Sequence, residues 1–253
     1  MLVNGYEGCL EVQALNKWHE GVNVKFCRDP EELVKQIAYG AQAILPLYNS
    51  IYGHNWSLYR MLDTFDYKIV DEVEIAPEFY LAANNDNFEI VTATEPILSL
   101  TDEHWRKHRS YLLQPSETVE TALKRTQQYN QYATICTLEE AKQYKFSFFQ
   151  KVQHQQLNQQ FAIVAKDLSK EEYESFSVLI QMTKYKTDSL NLLTYAFANH
   201  EVLIEDLFML NQQNLIVRIK DDYRRARVRT IFNQLKDLGM SSVKVLGGKL
   251  LVD

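Results

Sequence analysis

Residues 44–53 read Ile-Leu-Pro-Leu-Tyr-Asn-Ser-Ile-Tyr-Gly. The apolar start of this stretch predicts a buried strand that ends at Pro46, followed by a polar loop over residues 48–50 and a helix that Gly53 opens. This order places backbone N–H groups and short polar side chains at the carboxyl end of a strand. Open α/β sheets bind ligands at that end of their strands, so the stretch predicts a binding site without identifying its ligand.

Strands and helices alternate on both sides of this stretch. The clearest helix signal is Asp29 as a capping residue, Pro30 at the first helical position, Glu32 as the partner of a capping box and Gly40 as a stop. Such alternation predicts an α/β fold. We expect residues 1–167 to form two α/β lobes.

The charged residues 167–174 interrupt this pattern and predict a domain boundary. Over residues 174–253 the hydrophobic patterning predicts the order strand, helix, strand, strand, helix, strand, with Val228, Ile231 and Leu235 on the buried side of the second helix. This order is that of the ferredoxin-like βαββαβ unit. We expect its sheet to be separate from those of residues 1–167.

Composition describes an ordinary globular protein, with 46% hydrophobic and 24% charged residues among 253. The net charge of −6 leaves no excess of basic residues for phosphate groups, which argues against nucleic acid as a partner. The three cysteines lack metal-ligand spacing, and His104 and His108 lack a third ligand, so neither a disulfide framework nor a metal site is predicted. No export signal and no apolar run of roughly 20 residues is present, which predicts a cytoplasmic protein outside the membrane.

The stretch at residues 44–53 resembles the Val-Pro-Ile-Glu-Asn-Ser-x-x-Gly signature of prephenate dehydratases, with Tyr48 where the family has Glu. The residues in register with this signature are Leu45, Pro46, Leu47, Asn49, Ser50 and Gly53. Residues 243–248, Val-Lys-Val-Leu-Gly-Gly, resemble the closing strand of ACT domains attached to these enzymes. The resemblance implies a bilobal, periplasmic-binding-protein-like domain with a ligand cleft, followed by an ACT domain, and it implies no cofactor.

The resemblance also implies an activity, the conversion of prephenate to phenylpyruvate, carbon dioxide and water in phenylalanine biosynthesis. Such a site must hold a small carboxylate ligand and donate a proton to the leaving hydroxyl. The residues that the resemblance places at the site are Asn49, Ser50 and Gly53 from the central stretch, Thr94 and Glu95 where the family has Ser-His-Pro-Gln, Thr118, and Phe161 from the family's Thr-Arg-Phe motif. For Asn49, Ser50 and Thr118, helix capping is the alternative interpretation.

The Thr and Arg positions of that motif are occupied by Gln159 and Gln160. A glutamine amide is a poor acid and carries no charge, so it can neither assist departure of the hydroxyl nor pair with a carboxylate as Arg does. Three hypotheses follow. The chain is a working prephenate dehydratase, or a non-catalytic descendant that binds or senses a small molecule, or an enzyme for a related cyclohexadienyl acid.

The regulatory positions of the ACT-like region differ from the family as well. Asp188 and Leu190 stand near the family's Gly-Ala-Leu turn, and Asp188 would repel the carboxylate of a bound amino acid. Residues 207–210 are more apolar than a single edge strand safely exposes. We therefore expect a homodimer or tetramer that forms through residues 174–253.

Overall fold

The computed structural model describes residues 1–107, 111–182 and 187–251, with the backbone alone at residues 187–189. The helices are α1 Leu10–Trp18, α2 Pro30–Ala38, α3 Trp56–Phe65, α4 Glu95–Leu100, α5 Asp102–Lys107, α6 Val119–Gln128, α7 Leu138–Gln143, α8 Thr187–Asn199 and α9 Ala226–Asp237. The strands are β1 Leu2–Val3, β2 Lys25–Phe26, β3 Ala43–Asn49, β4 Gly53–His54, β5 Lys68–Ile75, β6 Tyr80–Ala83, β7 Ile90–Thr94, β8 Leu112–Ser116, β9 Tyr132–Cys136, β10 Phe148–Lys151, β11 Gln159–Ala165, β12 Tyr173–Met182, β13 Leu203–Met209, β14 Asn214–Lys220 and β15 Met240–Leu250. No helix in these ranges is long and apolar enough to cross a membrane.

The chain divides into two compact units. Unit 1 consists of Met1–Asn4, Gly21–Glu74 and Gln160–Asp253, and unit 2 consists of Gly5–Glu20 and Ile75–Gln159. Each unit has its own mixed sheet flanked by helices. The α/β fold class predicted from the alternation of elements is confirmed.

The sheet of unit 1 has the strand order β13-β14-β12-β15-β5-β11-β3-β1-β2, and β4 pairs with β3. Neighbours among β12 to β15 are antiparallel, and α8 and α9 occupy the two crossover positions. This is the strand order of a ferredoxin-like βαββαβ unit, as the hydrophobic patterning predicts. Its assignment as an ACT domain and the boundary between residues 167 and 174 stay predictions.

We expected the βαββαβ strands to form a sheet of their own, and this expectation is wrong: β12 to β15 share one sheet with β1 to β5 and β11. Strand β15 pairs in parallel with β5 at a single position, Gly247↔Ile69, and this pair joins the βαββαβ strands to the remaining strands of the sheet. A Cβ atom at Gly247 would lie 1.8 Å from the carbonyl oxygen of Ile69, and one at Gly248 would lie 2.2 Å from that of Ser175. The missing side chains of these two glycines therefore allow three backbones to meet.

The predicted strand end at Pro46 and helix start at Gly53 are also wrong. Strand β3 continues to Asn49, a hairpin leads into β4, and α3 follows only after Asn55, whose Oδ1 accepts a hydrogen bond from the N–H of Leu58 at 3.3 Å. Proline lacks an N–H, but the pairs of β3 with β1 and β4 lie at residues 43–44 and 48–49. Pro46 lies between them and interrupts neither.

The sheet of unit 2 has the order β10-β6-β9-β7-β8. Its apolar core includes Phe79, Val91, Trp105 and Ile135. Strand β8 ends at Ser116, and Thr118 caps α6. Pro115 lies within β8, an edge strand of this sheet, where proline is tolerated.

Candidate functional site

The hairpin between β3 and β4, which contains Asn49, Ser50 and Gly53, lies in unit 1. The Oδ1 atom of Asn49 accepts hydrogen bonds from the N–H groups of Ile51 at 2.9 Å and Tyr52 at 3.2 Å. Gly53 pairs with Asn49 and has a φ of +79°, a conformation that residues with a side chain rarely adopt. Asn49 therefore closes the turn with its side chain, and Ser50 forms the exposed tip of the hairpin.

Strand β11 carries the three residues at the family's Thr-Arg-Phe positions. Gln159 is buried, Gln160 is half-buried, and Phe161 belongs to the core with 1% of its surface exposed. Because side chains alternate along a strand, Gln159 and Phe161 point to one face of the sheet and Gln160 to the other. Gln160 lines a cavity within unit 1.

This cavity has a volume of about 210 Å³. Its lining combines aromatic, acidic and basic side chains from β3, β4, α3, β11, β13 and β14: Leu47, Tyr48, His54, Tyr59, Gln160, Glu205, Asp206, Phe208 and Arg218. Of these residues, Gln160 was a site residue in the sequence analysis, and Leu47 and Tyr48 belong to the stretch predicted to form a binding site. The lining unites segments more than a hundred residues apart in the chain, which no local pattern reveals.

His54 contacts strand β13 with a ring nitrogen and with the face of its ring. Its Nε2 lies 2.8 Å from Oδ2 of Asp206, and its ring stacks on Phe208 with centroids 3.7 Å apart. Burial lowers the pKa of His54, and the nearby carboxylate of Asp206 offsets only part of this effect. The neutral imidazole is therefore the favoured form in the folded protein.

Acidification should lower the free energy of unfolding because of this histidine. The pKa of His54 in the folded state lies below the ordinary value of 6.5, so the unfolded chain takes up the proton first. Stability is then full above about pH 6.5 and is lost as the pH falls, until the folded imidazole is protonated as well. We expect the melting temperature, followed by circular dichroism between about pH 7.5 and pH 5, to fall less in His54→Gln than in the unaltered protein.

The exposed His19 supplies the matched control, since His19→Gln removes a histidine of unit 2 that lies outside the cavity. A His54→Gln profile that falls as steeply as the unaltered one would show that this histidine does not govern the acid response.

Arg218 forms the ion-pair network beside His54. Its Nη1 and Nη2 donate to the two carboxylate oxygens of Glu72 at 2.8 and 2.6 Å, and Nη2 also donates to Oγ of Ser175 at 2.8 Å. Its Nε donates to Glu205 at 3.1 Å. Burial alone would lower the pKa of Arg218, but the charge of Glu72 more than offsets it and raises the pKa. The guanidinium is thus turned towards carboxylates of its own chain.

Unit 2 holds Thr94, Glu95 and Thr118. Thr94 ends β7, Glu95 is the exposed first residue of α4, and Oγ1 of Thr118 accepts a hydrogen bond from the N–H of Thr121 at 3.0 Å. Thr94 pairs with Ser116 at the carboxyl ends of two parallel strands. Thr118 therefore caps α6, beside the strand end that carries Thr94.

A hydrogen-bond cluster in unit 2 lies beside the turn at residues 5–8, where Gln13 donates to the carbonyl oxygen of Gly8 at 2.8 Å. The Tyr6 hydroxyl donates to Glu140, which accepts a second bond from the N–H of Thr137 at 2.8 Å, and Gln13 donates to Oγ1 of Thr137 at 2.8 Å. Burial raises the pKa of Glu140, and it raises the pKa of the Cys9 thiol to about 12. Cys9 is therefore a buried thiol without nucleophilic character. The Thr137-x-x-Glu140 capping box is the sequence signal that could have located this cluster.

The two residues predicted to be regulatory lie in α8. Leu190 packs against the core of the βαββαβ unit. The side chain of Asp188 lies outside what the structure describes, so its predicted effect on a bound amino acid stays a prediction. Among the described residues, no group of three His, Cys, Asp or Glu side chains is arranged to hold a metal ion.

Comparison with known proteins identifies the family. The family model described as prephenate dehydratase matches residues 1–169, and a model described as a protein of unknown function matches residues 147–231. No curated protein matches the chain. The first match covers more than half of the sequence, so the chain belongs to the prephenate dehydratase family.

Solved structures share this fold at low sequence identity. The prephenate dehydratase of Staphylococcus aureus subsp. aureus Mu50 is 16% identical with a TM-score of 0.80, over 97% of this chain and 98% of that one. The prephenate dehydratase of Arthrobacter aurescens in complex with L-Phe is 14% identical with a TM-score of 0.82, over 98% and 89%. GqqA, described as a novel type of quorum quenching acylase, is 11% identical with a TM-score of 0.83, over 99% and 97%. One fold thus accompanies two described activities, and the fold alone does not define the reaction.

Proposed function

We propose that this chain is a prephenate dehydratase-like protein that binds a small carboxylate ligand and converts prephenate to phenylpyruvate at a very low rate or not at all. The observation that carries the proposal is the pair Gln159 and Gln160 at the Thr and Arg positions of the family motif. Prephenate loses carbon dioxide and a ring hydroxyl, which calls for a charge that holds a carboxylate and a donor for the departing oxygen. Neither amide supplies them.

The arrangement of β11 supports this proposal. Gln159 and Gln160 are adjacent on a strand and point to opposite faces, so a single neighbouring group cannot replace both lost functions. The nearby Arg218 does not supply the missing positive charge, because its guanidinium is bound to Glu72 and Glu205. The family resemblance places the acidic side chain of Glu95 at the ligand site, where it would further weaken the binding of a dianion.

The second candidate is a non-catalytic protein that binds or senses a small molecule. It is favoured by the Arthrobacter structure, a family member described in complex with L-Phe. An enzyme for a related cyclohexadienyl acid is the third hypothesis carried over from the sequence. A cytoplasmic location and a homodimer or tetramer formed through residues 174–253 belong to the same proposal.

Thermal stability in the presence of ligand tests whether the protein still binds carboxylates. Prephenate at about ten times its dissociation constant should stabilise the folded protein by about 1.4 kcal/mol, which raises the melting temperature by a few degrees. Cyclohexanol is the uncharged control and should produce no shift. If neither prephenate nor phenylpyruvate raises the melting temperature at millimolar concentration, the carboxylate ligand of this proposal is wrong.

A further inference from the structure

The β3–β4 hairpin reaches across the sheet of unit 1 to strand β13. In the strand order, β14, β12, β15, β5 and β11 lie between β13 and β3. Six spacings of ~4.8 Å would separate these two strands by roughly 29 Å in a flat sheet. Nε2 of His54 nevertheless lies 2.8 Å from Oδ2 of Asp206. The sheet therefore curves, and this side-chain contact joins its hairpin to its edge strand.

A bulge in β13 directs the two side chains that receive the hairpin. The pairing of β13 with β14 shifts between Ile204 and Asp206, so Glu205 is an extra residue. Leu207 consequently packs with Ile204 against the core of the βαββαβ unit. Asp206 and Phe208 line the cavity instead. The N–H of Leu207 donates to Oδ1 of Asp206 at 2.8 Å, which leaves Oδ2 for the hairpin.

His54 belongs to the strand ladder that ends at the turn of the hairpin. It pairs with Tyr48 in the register of β3 with β4, and Asn49 pairs with Gly53 at the next position. The rings of His54 and Tyr48 lie with their centroids 5.1 Å apart. Residues paired in one ladder move together, so a displacement of His54 also displaces Asn49 and Ser50.

The hydrogen bond between His54 and Asp206 gives this contact its direction. The folded protein favours the neutral imidazole, and Nε2 faces a carboxylate, so this nitrogen carries the proton and donates the hydrogen bond. Hydrogen bonds to an ionised acceptor are about twice as strong as those between neutral groups. The ring of His54 also stacks on Phe208 at 3.7 Å between centroids. Stacking alone tolerates sliding of one ring over the other, whereas the hydrogen bond does not.

We propose that His54 is a positioning residue, which holds the hairpin of Asn49 and Ser50 in its ligand-binding conformation by donating a hydrogen bond from Nε2 to Asp206. Strand β13 thereby contributes to a site whose predicted ligand contacts all lie within residues 1–167. The inference rests on the proposed function in one respect, since it takes Asn49 and Ser50 as ligand contacts.

Backbone order parameters from nuclear magnetic resonance test whether this contact holds the hairpin. Residues 50–53 should have order parameters near the rigid value of about 0.85 in the unaltered protein. His54→Phe keeps a ring against Phe208 but removes the donor, and it should lower these order parameters towards the flexible value of about 0.6. His54→Gln restores an N–H donor near the position of Nε2 and should recover most of the order.

Two controls distinguish this local effect from a general loss of structure. The ladder of β12 with β14, which includes the pair Val178↔Val217, should keep its order parameters in every variant. His200→Phe makes the same substitution elsewhere in unit 1, at a histidine whose Nε2 lies 3.2 Å from Oε1 of Gln234, and it should leave residues 50–53 unchanged. Unchanged order in His54→Phe, an equal loss along the β12–β14 ladder, or no recovery in His54→Gln would each overturn the proposal.

Isothermal titration calorimetry with prephenate and phenylpyruvate tests the effect of this contact on binding. His54→Phe should weaken binding at least about threefold, because a smaller fraction of the protein has the binding conformation. His54→Gln should restore most of the affinity, and His200→Phe should not change it. Equal affinity in His54→Phe and the unaltered protein would overturn the positioning role. If the unaltered protein binds neither compound, the carboxylate ligand of the proposed function is wrong, and the order parameters alone decide whether His54 holds the hairpin.

Discussion

Replacing Gln159 by Thr and Gln160 by Arg in one variant should raise the rate at which the protein converts prephenate to phenylpyruvate by at least about tenfold. The reason is that the two substitutions restore a charge that can pair with a carboxylate and a hydroxyl that can assist the departing oxygen. Their combined loss corresponds to roughly 4 to 7 kcal/mol of transition-state stabilisation, or about three to five decades in rate. Recovery is expected to be partial, because Thr94 and Glu95 still differ from the family pattern.

The control for this variant is a second pair of adjacent glutamines. Gln155 and Gln156 lie close by in the chain and are exposed, so Gln155→Thr with Gln156→Arg makes the same chemical change outside the motif. This control should leave the rate unchanged. If the two double variants turn over prephenate equally, positions 159 and 160 do not account for a low activity.

Gly247→Ala should cost more than about 4 kcal/mol of folding stability, which is at the upper end of single substitutions. The new Cβ would lie 1.8 Å from the carbonyl oxygen of Ile69 and 2.8 Å from its carbonyl carbon, both backbone atoms that cannot turn aside. The strand pair that joins β15 to β5 would have to separate. We expect the midpoint of urea denaturation to fall sharply.

Gly239→Ala is the control that distinguishes the clash with Ile69 from the cost of a side chain at positive φ. Gly247 and Gly239 have φ angles of +95° and +90°, but a Cβ at Gly239 would meet no atom within 4 Å. Gly239→Ala should therefore cost only about 1 to 2 kcal/mol, the penalty for a side chain in the left-handed region. Equal losses in the two variants would show that the approach to Ile69 has no part in stability.

Local patterns in the sequence were sufficient for much of the fold. Asp29 caps α2 as predicted, with its side chain accepting from the N–H of Glu31 at 2.9 Å. Val228, Ile231 and Leu235 are the buried residues of α9, in the predicted i, i+3, i+7 spacing. Helix capping and amphipathic periodicity involve residues of the same helix, so both can be recognised in one short segment of sequence.

Competing local signals account for the errors. Glu32 was expected to complete a capping box with Asp29. Its Oε1 instead lies 3.6 Å from Nζ of Lys25 in an exposed ion pair. Pro46 suggested the end of a strand, yet it occupies a position that no ladder pair of β1 or β4 uses. A proline signals a break only where its missing N–H is needed, and that depends on the neighbouring strand.

The candidate site was the least accessible from sequence, since it depends on distant segments. Arg218 and Glu72 are 146 positions apart, and Tyr6 and Glu140 are 134 apart. His54 had no motif around it, and its contact with Asp206 exists only because β4 and β13 lie beside the same cavity. No hydrophobic periodicity in β4 or β13 predicts the contact between His54 and Asp206. The family resemblance supplied Gln159 and Gln160, while His54, Asp206 and Arg218 had no such guide.

The rate of phenylpyruvate formation by the unaltered protein tests the central claim most directly. Purified protein is mixed with prephenate at pH 7, product is followed by its absorbance in alkali, and a sample without protein gives the spontaneous rate. The account predicts a rate barely above that spontaneous background. Turnover near an ordinary enzymatic value of about 10 per second would contradict it, and a group other than Gln159 and Gln160, with Thr118 and Glu95 tested first, would then donate the proton.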